Sequence, residues 1–537
     1  MKYLPNKEER SAERMKLSDK YYSRIDICCA VILAFVTYLL AEFHLTNICF
    51  WGDDFAAYIS EGIAIANDTL DEQLGLNAIM HPSYLPEHLR NGSYAYVWGY
   101  PLLLAFIYRF VGFDRVAFTS VIYYKLPSVY CLALLAAVMF LYYRRYLSSK
   151  LSFVLAAFFA WYEGFYEFID TLYSDIVFLA FFMLSLLLIE CFVDEKKNAK
   201  RVVLGAFAGL AMWYTYEVRL NGIAILLAAA LCQMIDVFPR RSELTVKKVL
   251  EELLPYFVFG ISVLVSSLIM PTPPKDSGIS LWMFAENLKY YLDLLIDWLG
   301  LLVVNPVYAV WSSFAGVDYD ALVDAKTIIG YVALIICAVG MLTAKRSKTL
   351  HLVVLAAVYY LAVCLLPYQQ GDRYIYPLFP IVLLYFGLGV AAIIKCMHLD
   401  RSCMSVRVAE LVICAICCIV AVLPTYKADM LIARGEKPQP MVGMMGMYRY
   451  DIYSQTPVEV YNYIRDELPE DCVIGFYKPR ALYLNTERVS VSVGVNGHTA
   501  EETDYCLSYM DNMSNLGDAF ELVFENRDFK LYKNTLK

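Results

Sequence analysis

About eleven stretches of roughly 20 mostly apolar residues recur along this chain, each long enough to cross a bilayer as a helix. They lie near 27–46, 120–143, 151–168, 172–193, 201–217, 220–238, 254–270, 327–344, 350–367, 374–394 and 406–424. A further apolar run, Tyr100–Gly112, is too short to span and reads as an interfacial helix or part of a broken one. Composition agrees: 59 % of the 537 residues are hydrophobic, against roughly 45–50 % in globular domains. Only 18 % are charged, and a water-soluble fold could not hide that much apolar surface. Gly, Pro and Cys are too sparse for collagen-like, disordered or disulfide-rich classes. The net charge of −8 gives no reason to expect nucleic acid as a partner. The expected class is a mainly α, polytopic membrane protein.

The cations orient it. With the N-terminus placed in the cytoplasm, 24 of the 45 Lys and Arg fall in the N-terminal tail and in the short loops on that side. Those loops carry Arg144, Arg145 and Lys150, then Lys196 to Arg201, Arg240 to Lys248, Lys345 to Lys348, and Lys395 to Arg407. Every such loop is basic and no span is skipped, as the positive-inside rule expects. The long basic tail before a first stretch of spanning length reads as a retained span rather than a cleavable leader.

An odd number of spans places the C-terminal part outside. The chain therefore divides into a membrane domain, 1–426, with a large first outer loop over 47–119, and a soluble extracytoplasmic domain, 427–537. In the latter, Pro457–Leu468 is amphipathic and helical. Val473–Phe476, Val489–Val493, Glu521–Phe524 and Phe529–Tyr532 read as strands, with a hairpin turn at Asn526-Arg527-Asp528. A small α/β fold follows. Cys472 and Cys506 share it and are candidates for a disulfide; no CxxC or Cys/His metal spacing occurs.

Polar residues where a bilayer makes them costly are candidates for function. Directly after the first span comes Trp51-Gly52-Asp53-Asp54-Phe55-Ala56-Ala57-Tyr58. Adjacent carboxylates at a membrane surface repel and lose solvation, which suits one of them to general-base work; a solvated acidic loop is the alternative. The first outer loop also holds His81, His88, Glu72 and Glu87, at no recognisable metal-ligand spacing, and it closes in Trp98-Gly99-Tyr100-Pro101. Three cations, Lys125, Arg219 and Arg373, sit on the outer side against the orientation rule. Together they could bind a phosphate at the membrane surface; snorkelling to headgroups competes. Asp175, in Tyr173-Ser174-Asp175, is either a site carboxylate or a helix N-terminal acid. Ser280–Val310, rich in Trp, Tyr and Leu, reads as an interfacial helix or a lid.

These motifs together resemble the GT-C superfamily of membrane glycosyltransferases, and within it the bacterial glycosyltransferase 39 family of protein O-mannosyltransferases and aminoarabinose transferases. The matching features are Asp-x-x-x-aromatic after the first span (Asp54, Tyr58) and Tyr-Pro-Leu-Leu-Leu closing the first outer loop (Tyr100). To these add Arg219 before Gly222, and Arg-Tyr-x-x-Pro-x-x-Pro (Arg373, Tyr374, Pro377, Pro380). Lys478-Pro479-Arg480-Ala481-Leu482-Tyr483 is similar to a segment in the outer domains of bacterial members. Many relatives carry Asp-Glu where Asp54-Phe55 stands here, so a second carboxylate would come from Asp53, Asp175 or the rest of the loop.

The resemblance implies a multi-pass enzyme of the bacterial plasma membrane. It would take a sugar from a polyprenyl-phosphate donor and pass it to a hydroxyl of a glycan, lipid or protein. Asp54 is then the catalytic base, with Asp53, which does not fit the motif spacing, a candidate second catalytic carboxylate; Arg219, Arg373 and Lys125 hold the lipid phosphate. Tyr58, Trp98, Tyr100, Asp175 and Tyr374 are substrate-binding candidates. A lipid-phosphate donor lacks the diphosphate that calls for a divalent ion, so no obligatory metal or cofactor is expected. A glycan polymerase or ligase of another membrane family, and a lipid or glycan transporter, remain alternatives. A transporter would call for polar groups on both faces and often an internal repeat.

Overall fold

The computed structural model describes residues 22–49, 53–80, 96–115, 120–238, 245–270, 281–311, 319–366, 369, 371–397, 404–434, 451–493, 500–509, 516 and 518–537. Its helices begin with α1 (Arg24–His44), α2 (Asp53–Asn67), α3 (Leu70–Met80), α4 (Gly99–Val111) and α5 (Val121–Arg144). Next come α6 (Ser149–Ala160), α7 (Glu163–Asp170), α8 (Asp175–Asp194), α9 (Asn198–Val218) and α10 (Ala224–Val237). The membrane part closes with α11 (Val246–Glu252), α12 (Leu254–Ile269), α13 (Phe284–Trp311), α14 (Tyr319–Thr343), α15 (Arg346–Cys364), α16 (Phe379–Cys396) and α17 (Met404–Ala433).

Among the described residues, eight helices are long and apolar enough to cross a membrane, or nine if α11 and α12, bent by 54°, form one span. The expectation of about eleven differs for local reasons. The stretch 151–168 is broken into α6 and α7 at Trp161-Tyr162. There the Trp161 indole donates to Thr37 Oγ1 at 3.0 Å and its carbonyl accepts from Thr425 at 2.9 Å. The stretch 201–217 does form a helix, α9, but one less apolar than the spanning set, and 350–367 forms the shorter apolar α15.

Conversely, Ser280–Val310 is neither an interfacial helix nor a lid over its described part: α13 is a spanning-length helix whose apolar window is 61 % buried. The Trp and Tyr content that suggests an interface is instead packed inside the bundle, and neighbours meet the polar groups of the helix. Asp297 pairs with Lys326 at 2.7 Å, Asn287 donates to the Cys364 and Leu366 carbonyls, and Trp298 stacks on Phe379 at 3.7 Å. Helix α8 is the most enclosed, with 72 % of its apolar window buried, while α14 and α17 show 17 % and lie at the edge. Glycines permit the tight crossings of α14: a Cβ on Gly330 would strike the Ile296 carbonyl, and one on Gly340 the Tyr385 carbonyl. Small residues at helix interfaces are how apolar helices associate without a hydrophobic gain.

The last membrane helix runs through Ala433, so position 426 falls inside it. Beyond it, α18 (Gln455–Glu467) and α19 (Pro479–Thr486) pack on a sheet of β1 (Val473–Phe476), β2 (Val489–Ser492), β3 (Tyr505–Tyr509), β4 (Phe520–Glu525) and β5 (Phe529–Asn534). The strand order is β2-β1-β3-β5-β4. β1 is parallel to both β2 and β3, while β5 is antiparallel to β3 and β4. The hairpin forms where the sequence places it, with the Asn526 amide donating to Phe529 O at 2.9 Å. The central strand β3 and helix α19 escaped the sequence reading. No disulfide joins Cys472 and Cys506; both are free and buried. The β1–β3 register sets Cys506 against Gly475, three residues beyond Cys472, which is roughly 10 Å at strand rise and too far to bridge.

The sheet domain sits on the membrane bundle through specific contacts. The Ile452 amide donates to Cys49 O at 2.9 Å, the Cys49 amide donates to Asp451, and Arg115 reaches Leu484 O at 2.9 Å and Glu487 at 2.6 Å. This docking brings α19 against α2.

Candidate active site

Helix α2 carries Asp54, Tyr58 and Glu61 at i, i+4 and i+7, which places all three on one face. Asp53 opens the same helix, and its side chain lies outside the described residues. So do Trp51, His81, Glu87 and His88, while Glu72 is exposed on α3. The short helix α4 supports α2 from behind. Gly62 permits this, since an added Cβ there would lie 3.1 Å from the Pro101 carbonyl of α4, and Gly99 lets α4 meet the end of α9, where an added Cβ would lie 2.7 Å from the Glu217 carbonyl. Trp98 and Tyr100 are consequently buried, at 2 % and 0 % exposure, and Tyr100 meets the Tyr58 ring edge-on at 5.0 Å. They act as the wall behind the site rather than as its open surface.

The structure brings Asp54 together with two of the three cations singled out in the sequence. Arg373 Nη1 lies 3.4 Å from Asp54 Oδ2. Arg373 leaves a 3-10 turn, Asp372–Leu378, that begins after Gly371; the left-handed φ of 79° at Gly371 suits glycine alone among common residues. Arg219 occupies the break between α9 and a second 3-10 turn, Leu220–Ile223. Its extended backbone carries the side chain to Asp175 Oδ2 at 2.7 Å, and its Nε donates to Ser174 Oγ at 3.2 Å. Ser174 in turn bonds the Tyr58 hydroxyl at 3.1 Å, which ties the second cation to the α2 face. Tyr374 lies between the two guanidinium groups, its ring centre 5.5 Å from the carbon of each. Such flanking suits a π face.

Lys125 is elsewhere and differently employed. Its ammonium is fully buried, donates to Thr46 O and Ile48 O at 2.8 Å each, and pairs with Asp170 at 2.7 Å. All three of its protons are committed, so it offers none to a phosphate. It fastens the start of α5 to the end of α7 and to the chain after α1.

Three participants escaped the sequence reading. Tyr96 donates its hydroxyl to Asp54 Oδ1 at 2.6 Å. Arg480, from α19 of the sheet domain, reaches the Tyr96 oxygen at 3.4 Å with its guanidinium 5.8 Å from the ring centre. Glu61 is fully buried, accepting from Asn77 at 3.0 Å and from the Tyr96 amide at 3.3 Å. The i+7 spacing from Asp54 could have found Glu61. Nothing local points to Tyr96, and Arg480 stood out only within the segment similar to bacterial outer domains.

The charges settle accordingly. Burial works against ionisation of Asp54, yet Arg373, the Tyr96 hydroxyl and Arg480 outweigh it and hold the carboxyl below its ordinary value. Burial and the adjacent Asp54 charge push Tyr96 well up, so its hydroxyl remains a donor. Burial drives Glu61 up to about 8, which makes it neutral at pH 7. Asp54 keeps access: its side chain is 32 % exposed, and each carboxylate oxygen spends one lone pair on the protein. A carboxylate poised beside arginines lets one place do two things: the carboxylate accepts a proton and the guanidinium groups stabilise an anion. Among the described residues, no three His, Cys, Asp or Glu side chains are grouped to hold a metal ion.

The bundle and the small sheet domain share their fold with a solved archaeal oligosaccharyltransferase, a fold of the kind the sequence resemblance implied. The Archaeoglobus fulgidus oligosaccharyltransferase in its apo form aligns over 92 % of this chain and 70 % of its own, at 11 % identity and a TM-score of 0.55. The same enzyme tethered with an acceptor peptide containing the NVT sequon aligns over 91 % and 70 %, at 10 % identity and 0.52. ArnT from Cupriavidus metallidurans, bound to undecaprenyl phosphate, aligns over 94 % and 97 %, at 13 % identity and 0.49. No protein-family model matches the sequence, and no curated protein sequence matches it. At these identities the likeness is one of fold.

Proposed function

We propose that the chain is a membrane glycosyltransferase that moves a sugar from a polyprenyl-phosphate carrier to an acceptor hydroxyl with inversion. The observation that carries this reading is the Asp54 carboxylate, partly open and set between Arg373 and the Tyr96 hydroxyl. Asp54 accepts the proton of the acceptor hydroxyl as the new bond to the anomeric carbon forms. The bond from that carbon to the phosphate oxygen breaks, and its electron pair leaves with the lipid phosphate. Preorganised cations lower the cost of that developing charge. Arg373 serves here because its 3.4 Å pairing with Asp54 is long enough to be shared. Arg219 serves because its described contacts use only Nε and one Nη of five N–H donors. Attack opposite the phosphate inverts the centre. The basic short loops support a site on the outer face of a plasma membrane, with the sheet domain on the same side; the acceptor is a glycan, lipid or protein hydroxyl.

The test is transfer by purified protein from candidate polyprenyl-phosphate sugars, read as release of polyprenyl phosphate. Asp54→Asn is expected to lower turnover by roughly 10²–10⁴-fold, the range of general-base catalysis, with unfolding temperature unchanged. Near wild-type turnover sinks the assignment. Because the donor holds a single phosphate, activity is expected to survive a chelator.

A further inference from the structure

We propose that Arg480 of the sheet domain is a positioning residue of this site: it holds the Tyr96 hydroxyl, which orients the Asp54 carboxylate, so the site is complete only when the sheet domain is docked. The inference rests on the reading of Asp54 as the base.

Three observations converge on it. The first is connectivity. Arg480 Nη1 donates to the Tyr96 oxygen at 3.4 Å, and Tyr96 donates to Asp54 Oδ1 at 2.6 Å, while Arg373 approaches the other oxygen, Oδ2. The carboxylate is thus steered from two sides by two domains. A phenol that accepts from a cation becomes a better donor to the carboxylate, because hydrogen bonds in a chain polarise one another.

The second is the placement of Arg480 itself. It is the second residue of α19, after Pro479, at the positive end of that helix's dipole, where a cation is disfavoured. Local helix chemistry therefore gives no reason for an arginine there; the nearby Asp54 carboxylate does, because the Arg480 charge helps to keep it ionised. The third is redundancy. Docking of the domain is already made by Arg115 with Glu487 and Leu484, and by Asp451 with Cys49, none of which touches Tyr96. Arg480 is not needed as a pin.

Among the described residues, the groups facing Asp54 and Tyr96 are Arg373 from the 3-10 turn before α16, Tyr58 and Glu61 on α2, and Arg480 on α19. Removing the Arg480 charge raises the pKa of Asp54, so the acid limb of the kcat/KM profile moves to higher pH. Loss of a hydrogen bond to a charged group costs about 1.5–3 kcal/mol, a roughly 10- to 100-fold effect.

The experiment compares full-length Arg480→Ala, Arg480→Lys, Tyr96→Phe and Arg115→Ala in the polyprenyl-phosphate release assay across pH. Arg480→Ala and Tyr96→Phe are expected to lose roughly 10- to 100-fold in kcat with a raised acid limb, and Arg480→Lys to restore part of both. Arg115→Ala, which loosens docking without touching Tyr96, is expected to keep the wild-type limb. If Arg480→Ala instead matches Arg115→Ala, with an unmoved limb, Arg480 is a docking contact and the proposal fails while Asp54 as base stands. If Asp54→Asn retains turnover, the base reading itself fails.

Discussion

Two ion pairs lie near the same end of this bundle, and in the sequence their cations look alike. Lys125–Asp170 is sealed: both side chains are 0 % exposed, they are 2.7 Å apart, and Asp170 also accepts from the Thr46 amide and hydroxyl. Arg373–Asp54 is slack: 23 % and 32 % exposed, 3.4 Å apart, with hydrogen-bonding capacity left over. The difference is one of saturation. A charge whose every donor or acceptor is spent on protein can only hold the fold. A charge that is partly dry and partly unspent can still take a ligand, and it costs the fold little when removed. Sidedness and residue type bring both pairs forward as candidates; only the count of unspent hydrogen bonds separates them.

The sharpest way to break this comparison is to remove one cation from each pair. Lys125→Met leaves Asp170 buried and uncompensated, for which about 3–5 kcal/mol of stability is the expected loss. Thermal unfolding of the purified protein reads it, and Lys125→Met with Asp170→Leu is expected to recover part of it. If Lys125→Met unfolds like wild type but fails to bind lipid phosphate, the sealed pair is functional after all. Arg373→Ala is expected to do the reverse. The pair is only half-buried and Asp54 keeps its bond from Tyr96, so the stability loss is expected to be smaller than for Lys125→Met, while affinity for a polyprenyl phosphate, read by lipid competition in the release assay, falls by roughly 10- to 100-fold on loss of a charged hydrogen bond.

Most of the helical membrane architecture was legible because apolar length is written into consecutive residues. What escaped was written across the fold. Helix α13 reads as interfacial from its Trp and Tyr content because the partners that enclose it, Phe379 against Trp298, Lys326 against Asp297 and Cys364 against Asn287, lie far away in sequence. The core of the site was legible for a similar reason. Asp54, Arg219 and Arg373 are polar groups at the ends of apolar runs, a local signal. Tyr96 and Arg480 are ordinary residues until folding sets Tyr96 against Asp54 and docking of the sheet domain brings Arg480 to Tyr96, and no pattern along the chain records a contact spanning 384 positions. Lys125 was misread for the opposite reason: its sidedness is a local signal, but Asp170, which satisfies it, is not adjacent.

Glu61 sharpens the comparison further because it combines the two cases. It is buried as fully as Asp170, but its Oε2 has no hydrogen-bond partner among the described residues and its Oε1 accepts only from neutral groups. Burial is what raises its pKa from 4.5 to about 8, and outside the spanning helices this makes a linkage prediction. The folded state keeps the Glu61 proton where the unfolded chain has released it, so between those two pH values folding takes up a proton. Stability is therefore fully present below about pH 4.5 and is lost as pH rises towards 8, with a limiting slope of about 1.4 kcal/mol per pH unit. Glu61→Gln, neutral at every pH, is expected to flatten that slope and to melt higher than wild type at pH 8.5 while matching it near pH 5. Thermal unfolding across that range checks it. An unchanged slope would mean that Glu61 is ionised when folded, and that Arg480 compensates it as completely as Lys125 compensates Asp170.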